Sequence, residues 1–173
     1  MSSGRLVYMN GNFVPEHEAK ISIFDSALMF GDMIFEMTRS FNKEQFKLRA
    51  HLERLYIGVK ILHIPLEMTI DEMEQACFET IEKNDAVFDN HDEHRLMINV
   101  SRGPLGIYAP VFDGKIEPTV VIADFPLKWT VAAMAPLFEQ GINAVIPSQR
   151  AIPASLMEPK IKNRSRLFYQ MAN

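Results

Sequence analysis

Lys160 and Lys162 stand two residues apart in the tetrapeptide PKIK. In an extended segment such residues share a face, and a lysine close to a like charge has its neutral form favoured. A neutral amine can attack an aldehyde carbon. Two solvent-exposed lysines ahead of a helix fit the same four residues, and short matches are more often of that kind. Arg54 has the same standing, because a helical arginine near Glu53 and Lys60 is ordinarily a solvated surface charge. The other chemistry-bearing side chains form no motif. His17, His51, His63, His91 and His94 have no metal-ligand spacing with one another or with Cys77, so no metal is expected. Gly103 and Gly106 follow a strand pattern without the lysine and Ser/Thr of a phosphate loop, and no Gly-x-Ser-x-Gly elbow occurs.

The chain that must position these residues has 173 of them, 47% hydrophobic and 23% charged, a globular composition. Its net charge of -4, with both signs scattered, provides no basic stripe for nucleic acid. The single cysteine, Cys77, lies in an apolar helical pattern and reads as a small buried thiol in a reducing compartment. No apolar run approaches the ~20 residues of a membrane span, and the start MSSGRLVYMNG lacks the apolar core of a signal peptide. A cytoplasmic protein with no membrane partner is expected.

Leu6 to Val14 predicts a β-hairpin around Asn10-Gly11, the dipeptide suited to a type I′ turn. Ile34 to Phe41 alternates as a strand. Phe35, Met37, Arg39 and Phe41 point one way and Ile34, Glu36, Thr38 and Ser40 the other, so that both faces mix apolar and polar groups, as at a strand lining a polar pocket. After the turn Asn42 to Glu44, residues Gln45 to Leu48 return as its partner. Leu48, Leu52, Leu55, Val59 and Leu62 then recur at helical spacing, predicting an amphipathic helix over 49–62. Thr69 with Glu72 forms a capping-box pattern before a second helix carrying Ile70, Met73, Cys77 and Ile81. Arg95 to Arg102 and Thr119 to Ala123 read as strands. Between Phe125 and Gln140 the pattern lapses around Pro126 and Pro136, and GINAVIP reads as a further strand before the lysine-bearing segment and a closing helix. The expected organisation is a small α/β domain over 1–125, an interdomain linker over 126–140, and the incomplete start of a second domain over 141–173. Some 33 residues are too few for a core of their own, so a fragment is expected.

Five stretches occur in a fixed order: VYMNGNFV, ISIFDSALMFGDMIFEMTRSF, FKLRAHLERLYIGVKILHI, RLMINVSRG and EPKIKNRSRLFYQMAN. The ordered set covers nearly the whole chain. It resembles the class IV aminotransferases (fold type IV), the family of branched-chain amino acid aminotransferase, D-amino acid aminotransferase and aminodeoxychorismate lyase, and within it their N-terminal part. The resemblance implies an α+β fold, a two-layer sandwich of mainly antiparallel sheet and helices followed by the start of a second domain. It implies pyridoxal 5'-phosphate as cofactor, held covalently by Lys162 of Ile-Lys-x-x-x-x-Leu rather than by Lys160. Arg54, in the His-Leu-x-Arg-Leu motif that begins at His51, would bind its phosphate, where a planar guanidinium offers bidentate geometry. Phe35, Arg39 and Met33 would line the substrate pocket.

The implied reaction moves an amino group from a branched-chain or other apolar amino acid to a 2-keto acid, with Lys162 as general acid and base. A homodimer is implied as well. The family's Gly-Asp-Gly-Val-Phe-Glu reads Gly31-Asp32-Met33-Ile34-Phe35-Glu36 here, so that a side chain replaces a glycine beside the pocket and narrows it. After Ser101-Arg102-Gly103, PLGIYAP lacks the arginine and histidine with which D-amino acid aminotransferase holds a carboxylate. A lyase of the aminodeoxychorismate type, a D-amino acid aminotransferase and a non-catalytic assembly module remain the alternatives.

Overall fold

The structure, a computed structural model, describes residues 4–172. Strands β1 (Leu6–Met9) and β2 (Asn12–Pro15) form the expected hairpin, with Asn10 and Gly11 at φ 44° and 86° as a type I′ turn requires. A short helix α1 (Ser26–Phe30) is capped by Asp25, whose carboxylate accepts from Ala27 N at 2.8 Å, and ends at Gly31 with φ 69°. It leads into the long strand β3 (Met33–Phe41) and its brief partner β4 (Glu44–Gln45). Helices α2 (Leu48–Ile61) and α3 (Ile70–Asp85) follow, then β5 (His94–Ser101) and β6 (Thr119–Pro126). Last come α4 (Leu127–Gln140) and the single turn α5 (Leu167–Gln170).

The strands form one six-stranded sheet in the order β2-β1-β6-β5-β3-β4, and every pairing is antiparallel. One face carries α2 and α3. Ile34 of β3, Leu96, Ile98 and Val100 of β5, and Val120 and Ile122 of β6 interdigitate there with Leu52, Leu55 and Val59 of α2 and with Met73 and Cys77 of α3. The helical and two-residue periodicities of the sequence thus meet in a single core. Gly58 sets the distance between α2 and β3, since a Cβ there would lie 3.1 Å from Ile34 Cδ1. The capping box of α3 forms as expected, Glu72 N donating to Thr69 Oγ1 and Thr69 N to the Glu72 carboxylate.

Three expectations of secondary structure change. GINAVIP forms no strand; its residues lie exposed and pair with none of the six strands, so its apolar side chains find no sheet face to be buried on. The segment expected as a linker is helical over Leu127–Gln140, in keeping with its alanines, leucines and other helix formers, although Pro136 lies within it. β4 is also shorter than its expected span, because α2 begins at Leu48. No described helix is long and apolar enough to cross a membrane.

Candidate active site

β3 presents Ile34, Glu36, Thr38 and Ser40 to the helices, all buried, and Met33, Phe35, Met37 and Arg39 to the opposite face. A buried carboxylate on a helix-covered face needs partners. Glu36, fully buried, finds three. Arg54 of α2 donates from Nε and, at 2.8 Å, from Nη2; His51, one turn earlier on α2, lies 2.9 Å away through Nδ1; and Lys162 donates from Nζ at 2.9 Å. Burial alone would push the Glu36 carboxyl up, but these donors together hold it at about 2. Glu36 in turn raises Arg54 above the ordinary guanidinium value.

Lys162 arrives from far along the chain by adding its segment to the free edge of β3. Phe35 N donates to Lys162 O at 3.0 Å, and Ile34 pairs with Asn163. That pairing places the lysine between the two faces of the strand, with Nζ on Glu36 and also 5.0 Å from the Phe35 ring centroid. Its electrostatic neighbour is therefore a carboxylate and not Lys160, which stays exposed with its backbone N bonded to Glu158. The one carboxylate is outnumbered by Arg54 and Lys162, and Arg54 Nη1 is bonded to none of the described residues. A donor set with surplus positive charge, a free guanidinium edge and an amine suits an anionic phosphate bearing an aldehyde.

On the opposite face, Arg164 stacks over the same Phe35 ring, its Cζ 4.4 Å from the centroid, and donates from Nε to Asn99 at 3.0 Å. Asn99 is the register partner of Phe35 on β5 and lines a cavity of about 220 Å³. Ile21, Ala27, Met33 and Val121 supply apolar walls. Ser101 and Thr119 also line it and donate to the Asp25 carboxylate, a further lining group, at 2.7 and 2.5 Å, so that each hydroxyl is partnered within the wall.

Of the residues singled out in the sequence, Lys162, Arg54 and Phe35 come together, and Met33 lines the adjoining cavity. Arg39 does not join them. It lies four residues along β3, roughly 13 Å at ~3.3 Å per residue, with its guanidinium over Phe41 and its Nε bonded to Ser40 O. Glu36, Arg164 and Asn99 were not anticipated as site residues. Glu36 had a visible signal, a charge on the same strand face as Ile34; Arg164 is two residues from Lys162, as an extended segment requires for a common face.

Arg102 holds the frame around this site. Its Nε donates to Asp32 at 2.7 Å, while Nη1 and Nη2 donate to His63 O and Leu62 O beyond the end of α2 at 2.9 and 2.7 Å. One guanidinium thus joins the start of β3 to the helix that bears Arg54.

Residues 33–173 match the model of the family described as "Amino-transferase class IV". The "Putative branched-chain-amino-acid aminotransferase" of Methanocaldococcus jannaschii is 35% identical over 163 residues, which is 93% of this chain and 52% of that protein. Among solved structures, the branched-chain aminotransferase of Thermoproteus uzoniensis with norvaline superposes at a TM-score of 0.69 with 27% identity, covering 92% of this chain and 51% of that one. The T.th. branched-chain amino acid aminotransferase with pyridoxamine 5'-phosphate gives 0.67 and 26%, covering 92% and 50%. The chain belongs to the class IV aminotransferases and has their fold-type IV architecture. It spans about half the length of each of these relatives.

Proposed function

We propose that this chain forms the part of a pyridoxal-phosphate-dependent aminotransferase that carries the reactive lysine, acting on branched-chain or other apolar amino acids with a 2-keto acid as acceptor. The observation that carries the reading is the convergence of Lys162, Arg54 and His51 on buried Glu36 at the seam of β3 and α2. Arg54 would hold the cofactor's phosphate and Lys162 would bind its aldehyde carbon. When bound, the cofactor supplies an electron sink for charge developing at the substrate Cα.

The chain's own groups account for the remainder. Glu36 takes hydrogen bonds from Arg54 and Lys162 and so fixes both cations relative to β3. Once the substrate's amino group has displaced it from the aldehyde carbon, the free Lys162 Nζ would accept and return the Cα proton as general base and acid. Phe35 provides an apolar surface beside Nζ that displaces water from the reacting atoms. The cavity walled by Ile21, Ala27, Met33 and Val121 favours an aliphatic substrate chain.

The same proposal takes 1–125 as one domain, 126–140 as the connection to a second and 141–173 as the start of that second domain. It also takes the molecule as a cytoplasmic homodimer; Ile23, Leu28 and Phe30 around α1 are exposed apolar side chains that offer a contact surface. Titration with pyridoxal phosphate tests the central reading. The wild type is expected to develop a visible absorbance band that L-leucine bleaches, and Lys162→Ala to develop none. A band of equal size in Lys162→Ala would sink the proposal, and bleaching by D-alanine alone would move it to the D-amino acid branch.

A further inference from the structure

Arg164 is energetically out of place as it stands. Its Nε is satisfied by Asn99 and its plane stacks on Phe35, yet Nη2 is buried and meets no acceptor among the described residues. Burial lowers its guanidinium from the ordinary value, and no carboxylate among the described residues offsets that. A buried donor without a partner costs free energy in the folded protein, and such costs concentrate where a ligand completes the bonding.

The position narrows the ligand. Arg164 and Lys162 share the Phe35 ring, at 4.4 and 5.0 Å from its centroid. Arg54 lies on the other face of β3, against Glu36. The strand therefore separates two cationic positions, with the reactive amine between them. If Arg54 takes the phosphate, the second anion of the reaction falls to Arg164. In an amino acid that anion is the carboxylate, only two bonds from the nitrogen that must reach the carbon Lys162 would bind. Asn99 joins Arg164 to the cavity of about 220 Å³ walled by Met33 and Val121. An apolar cavity of about 150 Å³ already holds a benzene ring, so this one has room for a branched aliphatic chain.

From this juxtaposition we infer that Arg164 is a substrate-binding residue: its free Nη2 edge takes the carboxylate of the amino acid, and the aliphatic chain enters the cavity beside Asn99. The inference rests on the proposed aminotransferase reading for the identity of the substrate, but its test needs no cofactor. The chain is titrated calorimetrically with 4-methylpentanoate and with 4-methylpentanamide, which has the same shape without the charge. The wild type is expected to prefer the acid by about ten- to a hundredfold, the range of charge-assisted hydrogen bonds. Arg164→Gln should bind the two alike, and Arg164→Lys should restore part of the preference, because an ammonium keeps the charge without the planar fork. A purely structural role would weaken acid and amide together. No preference for the acid in the wild type, or a preference that persists in Arg164→Gln, overturns the inference. Failure of Lys162 to take pyridoxal phosphate would overturn only the functional reading, since the acid and amide titrations are independent of it.

Discussion

Glu36 is shared by a guanidinium, an amine and an imidazole, and its consequences can be measured without any substrate. Its carboxyl lies at about 2 in the folded chain against 4.5 as the ordinary value. A carboxyl with a lowered folded value stabilises the fold above its unfolded value and loses that contribution as pH falls through the folded one. Glu36→Gln is therefore expected to lower stability by about 1–3 kcal/mol near neutrality, with the difference from wild type shrinking as pH drops from 4.5 toward 2. Thermal melts of both proteins across that range check it; a constant difference would show that the charge is not what matters. At this scale the sequence was partly legible. The resemblance marked Lys162 and Arg54, but the carboxylate that unites them could be assigned only once β3 and α2 were seen to face each other, a contact between residues 18 positions apart.

Among the elements, the seat of α2 on β3 decides the site. Gly58→Val would push a branched side chain into Ile34, which is 1% exposed, with a Cβ 3.1 Å from Ile34 Cδ1. Overpacking of this kind costs about 1–3 kcal/mol, so a denaturant midpoint lower than wild type is expected, together with weaker cofactor binding as Arg54 is displaced. A second seal lies at the far end of the sheet. His94 of β5 bonds Asp124 of β6 at 2.8 Å and Asp85 at the end of α3 at 3.0 Å, with Phe88 stacked on its ring. Burial alone would lower His94, but the two carboxylates raise it above its ordinary 6.5. Its stabilisation is thus complete below pH 6.5 and declines as pH rises through the higher folded value. His94→Asn should accordingly cost more at about pH 6 than at about pH 9; chemical denaturation at both values measures it, and equal costs would contradict the assignment. Local patterns made most elements readable, the α3 capping box and the Asn10-Gly11 turn above all. They failed where the outcome depended on partners. GINAVIP has strand composition but stays exposed and pairs with no strand, and the prolines at 126 and 136 read as breakers while the residues between them form a helix.

Over the whole molecule, the α2–α3 side of the sheet is closed and much apolar surface elsewhere is not. Phe30 is 66% exposed and Phe138 of α4 is 84% exposed. Apolar surface of this extent marks interaction sites. The proposed homodimer predicts that Phe30→Glu shifts the sedimenting species toward monomer while leaving the melting temperature of the core unchanged; a wild type that sediments as a monomer at all concentrations would contradict it. Composition and charge made the globular class legible, and the ordered motifs the family, because both are properties of the chain alone. The exposed surface depends on the third dimension, and no periodicity in the sequence revealed it.

Lys162 as the residue that binds the cofactor is the claim on which the rest depends. Borohydride reduction of the chain with pyridoxal phosphate, followed by intact mass and peptide mapping, addresses it directly. A single adduct on Lys162, absent from Lys162→Ala, is the predicted result; no adduct, or one confined to Lys160, would contradict the account.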